Sequence, residues 1–325
     1  MYNKRESIGN RRFLINKKAV IEFGWLFAVI VGALILFLAF YFVGTNLLSQ
    51  KYEQGTIQAH SLEILLNPFS QFGEIKLISQ DTIALDQLST VNISCDISTN
   101  AGDLGYNEIT LVTKGQSGIP KTVYDKYIFA EHDLTTKKFQ ALSVPLEMPW
   151  RVADVIILWP YDKKYCFVNM PNIKETLGDT ETGLNISSLS FPTSKTLCPS
   201  GSVTVCTSGC DITINSATNK VTKHGQSFYF AGEALMYAAI FSSKDTYDCN
   251  FKRIASRLYS QATIYEKKAF ALSGKGCTTL PPSLGALKTK ASELTKQINS
   301  GNVETLSQAA NAIDQANNIA DCSLY

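Results

Sequence analysis

The feature that most constrains this chain is an apolar run near its start, from Phe23 to Val43. The run is 21 residues long and contains no charged residue, proline, asparagine or glutamine. About 20 such residues in an α-helix cross the hydrocarbon core of a bilayer. A cleaved secretory signal has a shorter apolar core and a small-residue cleavage site, and the end of this run, Ala39 to Gly44, lacks the A-x-A pattern. Residues 20–43 are therefore predicted to form a transmembrane helix in the lipid bilayer.

The charges beside this run predict its orientation. Residues 1–19 contain six basic residues and one acidic residue, and no basic residue follows the run until Lys51. By the positive-inside rule, residues 1–19 form a basic cytosolic tail and residues 44–325 lie outside the membrane. Topology accounts for the basic cluster of the tail, so no nucleic-acid partner is predicted.

A helical pattern continues past the membrane run. Apolar or small residues recur at steps of three and four, and Asn67-Pro68 ends the pattern because the residue before a proline is pushed out of the α region. The sequence therefore predicts a stalk helix over residues 44–68. The stripe offers a surface for the outer domain, a second copy or another protein. Its members are Leu48, Tyr52, Gly55, Ala59, Leu62 and Leu66.

The outer part divides into two regions with different periodicities. Residues 69–231 contain short runs rich in Val, Ile, Thr, Tyr and Phe between turn-forming clusters, which predicts an antiparallel, β-sandwich-like domain. From residue 232 onward the period becomes helical. Glu233–Phe241 is apolar on nearly every side and is predicted to be a buried helix, and three longer helices with short loops predict an antiparallel bundle. The expected fold class is α+β, with domains at 69–231 and 232–325.

All eight cysteines lie beyond the membrane run, which predicts disulfides in an oxidising compartment. In an up-down-up bundle, Cys277 and Cys322 fall at the same end, so they are predicted to pair. Cys249 lies 28 residues before Cys277. Because that is about 40 Å along a helix, Cys249 is expected to pair toward the β-rich domain. The pairing of the other five is open: Cys95, Cys166, Cys198, Cys206 and Cys210.

Two further features of the outer part concern zinc binding, which would use the same cysteines, and glycosylation. Cys198, Cys206, Cys210 and His224 have the composition of a structural zinc site, but only Cys206 and Cys210 have ligand spacing, so disulfides are favoured and no metal or cofactor is expected. Asn92 and Asn185 each begin an N-x-S triplet and are predicted glycosylation sites.

The sequence contains none of the common hydrolase, metalloprotease or nucleotide-binding motifs, so no catalytic residue is assigned. The densest titratable cluster, Glu131-His132-Asp133, is interpreted as a loop because adjacent strand residues face opposite sides. A group of aromatic residues has two interpretations, as a platform for sugar or peptide or as ordinary core. Its members are Trp150, Trp159, Tyr161 and Tyr165.

Two resemblances add to this interpretation. Lys17-Lys18-Ala19-Val20-Ile21-Glu22 before the apolar run resembles the class III signal of archaeal type IV pilins and archaellins, and implies processing before Val20. A cut there makes Glu22 the third residue, whereas the family has Glu at the fifth. The chain as a whole, with Tyr-Phe-Ala-Gly-Glu-Ala-Leu-Met-Tyr-Ala-Ala at 229–239, resembles uncharacterised membrane proteins of small-genome archaea. That second resemblance implies no activity.

Three functions are compatible with these features. The first is a membrane-anchored surface protein, not an enzyme, whose outer part has a structural role or binds a protein or the cell envelope. The second is a pilin-like subunit that self-associates through residues 20–66. The third is a membrane-tethered hydrolase, for which the sequence contains no recognisable catalytic set. The first is favoured because Glu22 is displaced from the pilin position.

Overall fold

A computed structural model describes residues 24–44, 79–97, 104–168, 184–187, 198, 200–275, 280–319 and 324–325. The chain divides into two compact units, Met1–Gln50 and Lys51–Tyr325. In the first unit, helix α1 (Gly24–Gly44) presents almost all of its side chains on the surface and is long and apolar enough to cross a membrane. A signal sequence near an N-terminus has the same properties. The predicted apolar helix is confirmed over residues 24–43.

The second unit contains two β-sheets, and the first has seven strands. Its order is β3-β2-β1-β6-β7-β5, and β4 also pairs with β2. All neighbouring strands are antiparallel except β5 and β7, which are parallel. The strands are β1 (Ser79–Asp96), β2 (Tyr106–Thr113), β3 (Gln116–Ser117), β4 (Lys121–Val123), β5 (Tyr127–Phe129), β6 (Asp133–Glu147) and β7 (Arg151–Pro160).

The second sheet has six strands in the order β13-β12-β11-β10-β8-β9. The pairs β11–β12 and β12–β13 are antiparallel, and the pairs β10–β11, β8–β10 and β8–β9 are parallel. The strands are β8 (Tyr165–Val168), β9 (Leu184–Ser187), β10 (Val203–Cys206), β11 (Ile212–Asn215), β12 (Lys220–Lys223) and β13 (Gln226–Tyr229).

The prediction of an antiparallel β domain is therefore correct for most of the first sheet and wrong for three of the five strand pairs in the second. Most strands are short and bounded by turn residues, as expected, whereas β1 has 18 residues and β6 has 15. Their direction was not predictable because the two-residue side-chain period is the same in parallel and antiparallel strands. Pairing direction depends on which segments meet, and β8 meets β10 only after a connection of more than 30 residues.

The first sheet is curled, and both of its faces are buried. On β7, the side chains of Val155, Ile157 and Trp159 enter the main core, which is shared with the helices. Ile156 and Leu158 point the other way into a second core formed by the sheet and its loops. This explains why β7 reads as an almost continuous apolar run rather than an alternating one.

Helix α2 (Gly232–Phe241) lies in the main core, and all eight side chains from Ala234 to Phe241 are buried. The prediction of a buried helix over residues 233–241 is confirmed. Phe241 stacks on Trp159 with ring centroids 4.7 Å apart and meets Tyr165 edge to face at 4.6 Å. The helix therefore fixes the first sheet to the second at their aromatic core.

Three more helices complete the second unit: α3 (Lys244–Ala271), α4 (Leu280–Lys296) and α5 (Ser300–Ile319). Ser243 begins α3 because its hydroxyl accepts a hydrogen bond from the backbone of Thr246. The predicted apolar stripe of α3, from Tyr247 to Ala269, is buried against the sheet and α4. Lys288 of α4 pairs with Glu266 of α3 at 2.6 Å.

Several predictions fall outside the described residues. They are the processing site at Lys17, Lys18, Ala19, Val20 and Glu22, most of the stalk, and the pair Cys277–Cys322. They stay predictions.

Candidate functional site

A polar cavity lies where β5, the start of β7 and α3 come together. This cavity has a volume of about 410 Å³. Its walls are residues 124–127, residues 151–154 with Ile156, and Arg257 of α3. We call it the Tyr127 pocket. Its charged lining residues are three basic and two acidic: Lys126, Arg151, Arg257, Asp125 and Asp154.

The floor of the pocket is set by β5, which is the edge strand of the first sheet. Side chains and one helix N-terminus supply hydrogen bonds to this edge. Asn107 Oδ1 accepts from the Ile128 backbone at 3.3 Å, and Asn250 Nδ2 donates to the Ile128 carbonyl at 2.8 Å. The Ser243 backbone N–H donates to the Ala130 carbonyl at 3.0 Å. The edge is thereby covered by α3, and the backbone of Tyr127 is held in place.

A fully buried arginine fixes this corner further. Arg253 donates to the carbonyl of Leu104 at 2.9 Å and to the carbonyl of Lys126 at 3.0 Å. It also donates to Asn107 Oδ1 at 2.6 Å. Its guanidinium lies 4.9 Å from the centre of the Tyr127 ring, within range of a cation–π contact. The Arg253 guanidinium therefore holds the Tyr127 ring in position, and Tyr127 also lines the pocket.

Two polar atoms at the pocket lack a hydrogen bond of normal geometry within the described part of the chain. They are the Tyr127 hydroxyl and Arg257 Nε, and both are buried. Tyr127 as a whole is 1% exposed. Buried polar groups in proteins are nearly always paired, because an unpaired one costs about 1–3 kcal/mol. Both residues line the pocket, so the contact between the Tyr127 hydroxyl and Arg257 lies at its wall.

The protonation state of Tyr127 suits a hydrogen-bond donor. Burial raises the pKa of the Tyr127 hydroxyl, and the positive charges of Arg257 and Arg253, together with a hydrogen bond from Arg257, oppose that rise. The net direction is upward, so the hydroxyl keeps its proton at neutral pH.

Ion pairs hold the pocket walls in position. Arg151 Nε donates to Asp154 Oδ1 at 3.1 Å within β7, and both side chains are partly buried. Arg257 Nη1 lies 3.4 Å from Asp125 Oδ1 at the surface. Asp125 has a left-handed backbone with φ of 54°, which turns the chain just before β5. Both acidic residues of the pocket are thus paired with an arginine.

The rim of the pocket has an exposed aromatic ring. Tyr124 is 64% exposed and lines the pocket. Its ring makes an edge contact with Tyr106, with centroids 5.8 Å apart. A hydrogen bond to Asp96 and the charge of that carboxylate raise the pKa of Tyr106. An exposed ring supported in this way offers a flat apolar surface beside the polar cavity.

Of the two interpretations of the aromatic group, the burial of its members agrees with ordinary core for three of the four. Trp150, Trp159 and Tyr165 are buried in the main core, and only Tyr161 is exposed. Trp150 donates to Gln261 Oε1 at 2.9 Å and stacks near Tyr265. These four residues therefore do not form a binding platform. The aromatic residue beside a cavity, Tyr124, was missed because a lone tyrosine in a loop has no periodic signal.

The cluster Glu131-His132-Asp133 is divided in the structure. Glu131 Oε1 accepts from the buried Lys223 Nζ at 2.9 Å, and the same amine donates to the carbonyls of Ile240 and Ser242. Lys223 thereby satisfies the C-terminal carbonyls of α2. Burial lowers the pKa of Lys223, and the Glu131 carboxylate opposes that shift. His132 and Asp133 contact each other at the surface.

The candidate zinc residues are committed to other contacts. Cys198 pairs with Cys166, and Cys206 pairs with Cys210. His224 and Gly225 have φ angles of 51° and 74° and form the two-residue turn between β12 and β13. Within the described ranges, no group of three His, Cys, Asp or Glu residues is placed to hold a metal ion.

The third described disulfide joins Cys95 of β1 to Cys249 of α3. The partner of Cys249 therefore lies in the β-rich region, as the helix length between Cys249 and Cys277 predicted.

Of the two predicted glycosylation sites, Asn92 lies in β1 and pairs with Thr110 on one side and Asp133 on the other, with its side chain half-buried. Asn185 lies in β9. Neither position tests whether a glycan is attached.

A second cavity of about 410 Å³ lies at the start of α2, bordered by residues 147–149, Asn219 and part of α5. Its charged lining residues are Glu147 and Asp314. Neither a basic side chain nor an exposed aromatic ring lines this second cavity. The Tyr127 pocket is therefore the stronger candidate.

Comparison with known proteins finds no match: no family model, no curated protein and no solved structure resembles this chain closely enough to assign it.

Proposed function

We propose that the chain is a single-pass membrane protein whose disulfide-stabilised outer part binds a protein or a component of the cell envelope, without catalysis. In this proposal residues 1–19 lie in the cytosol and residues 44–325 lie outside. Residues 44–68 form a stalk, residues 69–231 a β-sandwich-like domain, and residues 232–325 an antiparallel helical bundle.

The observation that carries the proposal is the division of the chain into an apolar helix and a disulfide-bonded unit. Helix α1 has exposed apolar side chains along its length. Three disulfides follow it, and every described cysteine is in one of them. Disulfides persist in oxidising compartments and are rare in the cytosol. An anchor with its C-terminal side exported accounts for both features.

Topology and redox state together test this proposal. The full-length chain is expressed in a bacterial host, membranes are isolated, and cysteines are blocked with a maleimide before and after reduction. We expect the chain in the membrane fraction after alkaline washing, proteolysis of the large C-terminal part only from the periplasmic side, and maleimide labelling only after reduction. A soluble chain, or a large part protected from external protease, would refute the anchored topology.

A pilin-like subunit is the second candidate, and it is supported by the motif Lys17-Lys18-Ala19 before the apolar run. Processing by a prepilin peptidase would make Val20 the first residue. Mass spectrometry of the mature protein from its native membrane distinguishes the two candidates. An intact N-terminus in every copy supports the anchor, and a first residue at Val20 supports the pilin-like subunit.

A further inference from the structure

Four lysine residues gather where β6 lies beside the segment that follows β7. Lys137 and Lys138 belong to β6, and Lys163 and Lys164 belong to the short segment between β7 and β8. The backbone brings the two pairs together, because the N–H of Tyr161, at the start of that segment, donates to the Lys138 carbonyl at 2.9 Å. We call these four residues the lysine corner.

The lysine corner has an excess of positive charge. None of its lysines is in a salt bridge with the described part of the chain, and three are exposed while the fourth is half-buried. Two acidic residues lie among them, Asp162 in the same segment and Asp86 in the part of β1 that opposes β6 here. The nearby pair of Lys223 and Glu131 adds no net charge. Residues 44–325 as a whole contain 24 basic and 26 acidic residues, so the positive charge is local and favours a negatively charged partner.

Two exposed apolar side chains lie beside these lysines. The irregular part of β1 places Leu88 next to Ser89, which pairs with Thr136 of β6, and Leu88 is 56% exposed. Tyr161 is 40% exposed, and Lys138 Nζ lies 5.7 Å from the centre of its ring. Basic side chains bordered by aliphatic and aromatic ones are typical of surfaces that lie in the head-group region of a bilayer. A soluble polyanion would use the lysines but would leave Leu88 in water.

The lysine corner is on the same chain as the apolar helix α1. Helix α1 ends at Gly44 and β1 begins at Ser79, so 34 residues connect them. Tethering of this kind raises the effective concentration of the second binding surface to about the millimolar range. A surface with weak affinity for lipid is therefore sufficient for contact with the bilayer that holds α1.

We propose that the lysine corner binds the anionic head groups of a lipid bilayer, with the lysines contacting lipid phosphates and with Leu88 and Tyr161 entering the head-group region. The inference rests on the proposed function in that it requires α1 as the membrane anchor. It specifies the envelope component that the outer part binds as the lipid surface itself.

Lysine acetylation in nanodiscs tests the proposal. The full-length chain is inserted through α1 into discs of phosphatidylcholine, or of equal parts phosphatidylcholine and phosphatidylglycerol, and mass spectrometry measures the acetylation rate of each lysine. We expect the lysines of the corner to react at least about threefold more slowly in the anionic discs, and the difference to disappear at about 1 M salt. Lys114 and Lys267 are exposed lysines elsewhere in the second unit, and their rates should be the same in both discs. Equal rates in both discs at the lysine corner, or an equal slowing at the two control lysines, would overturn the proposal.

Two double variants test the contribution of charge. Lys137→Gln with Lys138→Gln removes two charges from the corner, and Lys114→Gln with Lys267→Gln removes two exposed charges elsewhere as the matched control. In the anionic discs we expect the first variant to reduce the slowing at the two remaining corner lysines to less than about 1.5-fold. The control variant should keep the slowing of the parent chain. Full slowing in the first variant would refute the assignment.

A third variant and a soluble polyanion separate a bilayer from an acidic polypeptide as the partner. Leu88→Ser keeps every charge and removes an apolar contact, so it should reduce the slowing about twofold. No effect of Leu88→Ser would contradict insertion into the head-group region. Polyglutamate added to the chain in neutral discs should slow the corner lysines less than anionic lipid does at the same concentration of negative charge. Equal or greater slowing by polyglutamate would mean that the corner binds an acidic polymer instead of a bilayer.

Failure of the lysine corner and failure of the anchor give different results. A chain that enters neither kind of disc contradicts α1 as an anchor, and with it the tether that the lysine corner requires. A chain that enters both discs with unchanged lysine rates contradicts the lysine corner alone. Neither measurement depends on the orientation of the chain in a cell.

Discussion

Arg253 shows how a single buried side chain positions the pocket. Its donors reach the chain at Leu104, Asn107 and Lys126, which are well over 100 residues away in sequence. A buried charge is tolerated only when its hydrogen bonds are made, and carbonyl oxygens supply them here. The same guanidinium supports the Tyr127 ring. The arginine thus links the fold of α3 to the geometry of the candidate site.

Tyr247 predicts how stability changes in alkali. Its hydroxyl donates to the Tyr229 carbonyl at 2.7 Å, and burial raises its pKa well above the ordinary value of 10.0. The folded state holds this proton more tightly than the unfolded chain does. The stabilisation is fully present below pH 10 and is lost as the pH rises from 10 toward the folded-state pKa, by about 1.4 kcal/mol per pH unit.

The measurement is urea unfolding of the parent chain and Tyr247→Phe between pH 8 and pH 11. Other buried tyrosines contribute in the same direction, because burial also raises the pKa of Tyr165. We therefore expect the parent to lose stability above pH 10 and the variant to lose it less steeply, by about one proton. Parallel curves for the two proteins would show that Tyr247 does not contribute. Tyr259→Phe, at an exposed position of α3, is the control.

The pocket could not be predicted from the sequence, and the reason is physical. Tyr124, Tyr127, Arg151 and Arg257 are spread over more than 130 positions and form no motif. The sequence pattern placed Tyr127 in the β-rich region and Arg257 in the helical region, which is correct for each. That these residues line one cavity depends on the pairing of β5 with β7 and on the packing of α3 across that edge. Neither contact has a local signal.

The helices were the most predictable elements. Apolar positions at steps of three and four gave the buried faces of α3, α4 and α5, and an all-apolar segment gave α2. Strands were found with poorer bounds. β1 extends back to Ser79 through Asp81–Ser89, where the pairing register with β6 shifts between Ala84 and Ser89.

The role of α2 as the core of the second unit leads to a prediction about Phe241. This side chain is 0% exposed and contacts the rings of Trp159, Tyr165 and Phe167. Truncation leaves a cavity that surrounding aromatic rings cannot fill, so Phe241→Ala should lower the free energy of unfolding by about 3–5 kcal/mol. Chemical denaturation monitored by tryptophan fluorescence measures this change.

Phe270→Ala is the matched control for Phe241→Ala. Phe270 lies on α3 but is 61% exposed, and its removal should change stability by less than about 0.5 kcal/mol. A similar loss in both variants would mean that α2 is not the central element of the core. A large loss in Phe241→Ala alone also supports the conclusion that Trp159 and Tyr165 are core residues rather than a surface platform.

For the molecule as a whole, cysteine content and the apolar run were the most informative features of the sequence. They predict an anchored chain with disulfides in its outer part, and the described residues contain α1 and three disulfides. Eight cysteines allow 105 pairings. Only the fold selects among them, because a bridge needs Cα atoms within about 7 Å. The Cα atoms of Cys95 and Cys249 are 6.0 Å apart, although the two residues are 154 positions apart in the sequence.

The spans of these disulfides predict how unequally they stabilise the second unit. Cys95–Cys249 ties β1 to α3 across 154 positions, whereas Cys206–Cys210 closes a loop of four. A cross-link removes more entropy from the unfolded chain when its loop is longer. By that relation, replacing both Cys95 and Cys249 by serine should lower the free energy of unfolding by about 5 kcal/mol, and replacing Cys206 and Cys210 should lower it by about 2 kcal/mol.

The two double variants serve as controls for each other, since each removes one disulfide and adds two hydroxyls. Under non-reducing conditions the melting temperature should fall by about 10 °C in the first and about 4 °C in the second. Equal losses would mean that loop length does not govern the stabilisation. The long bridge would then contribute no more to holding the sheet and α3 together than the short one contributes to a single turn.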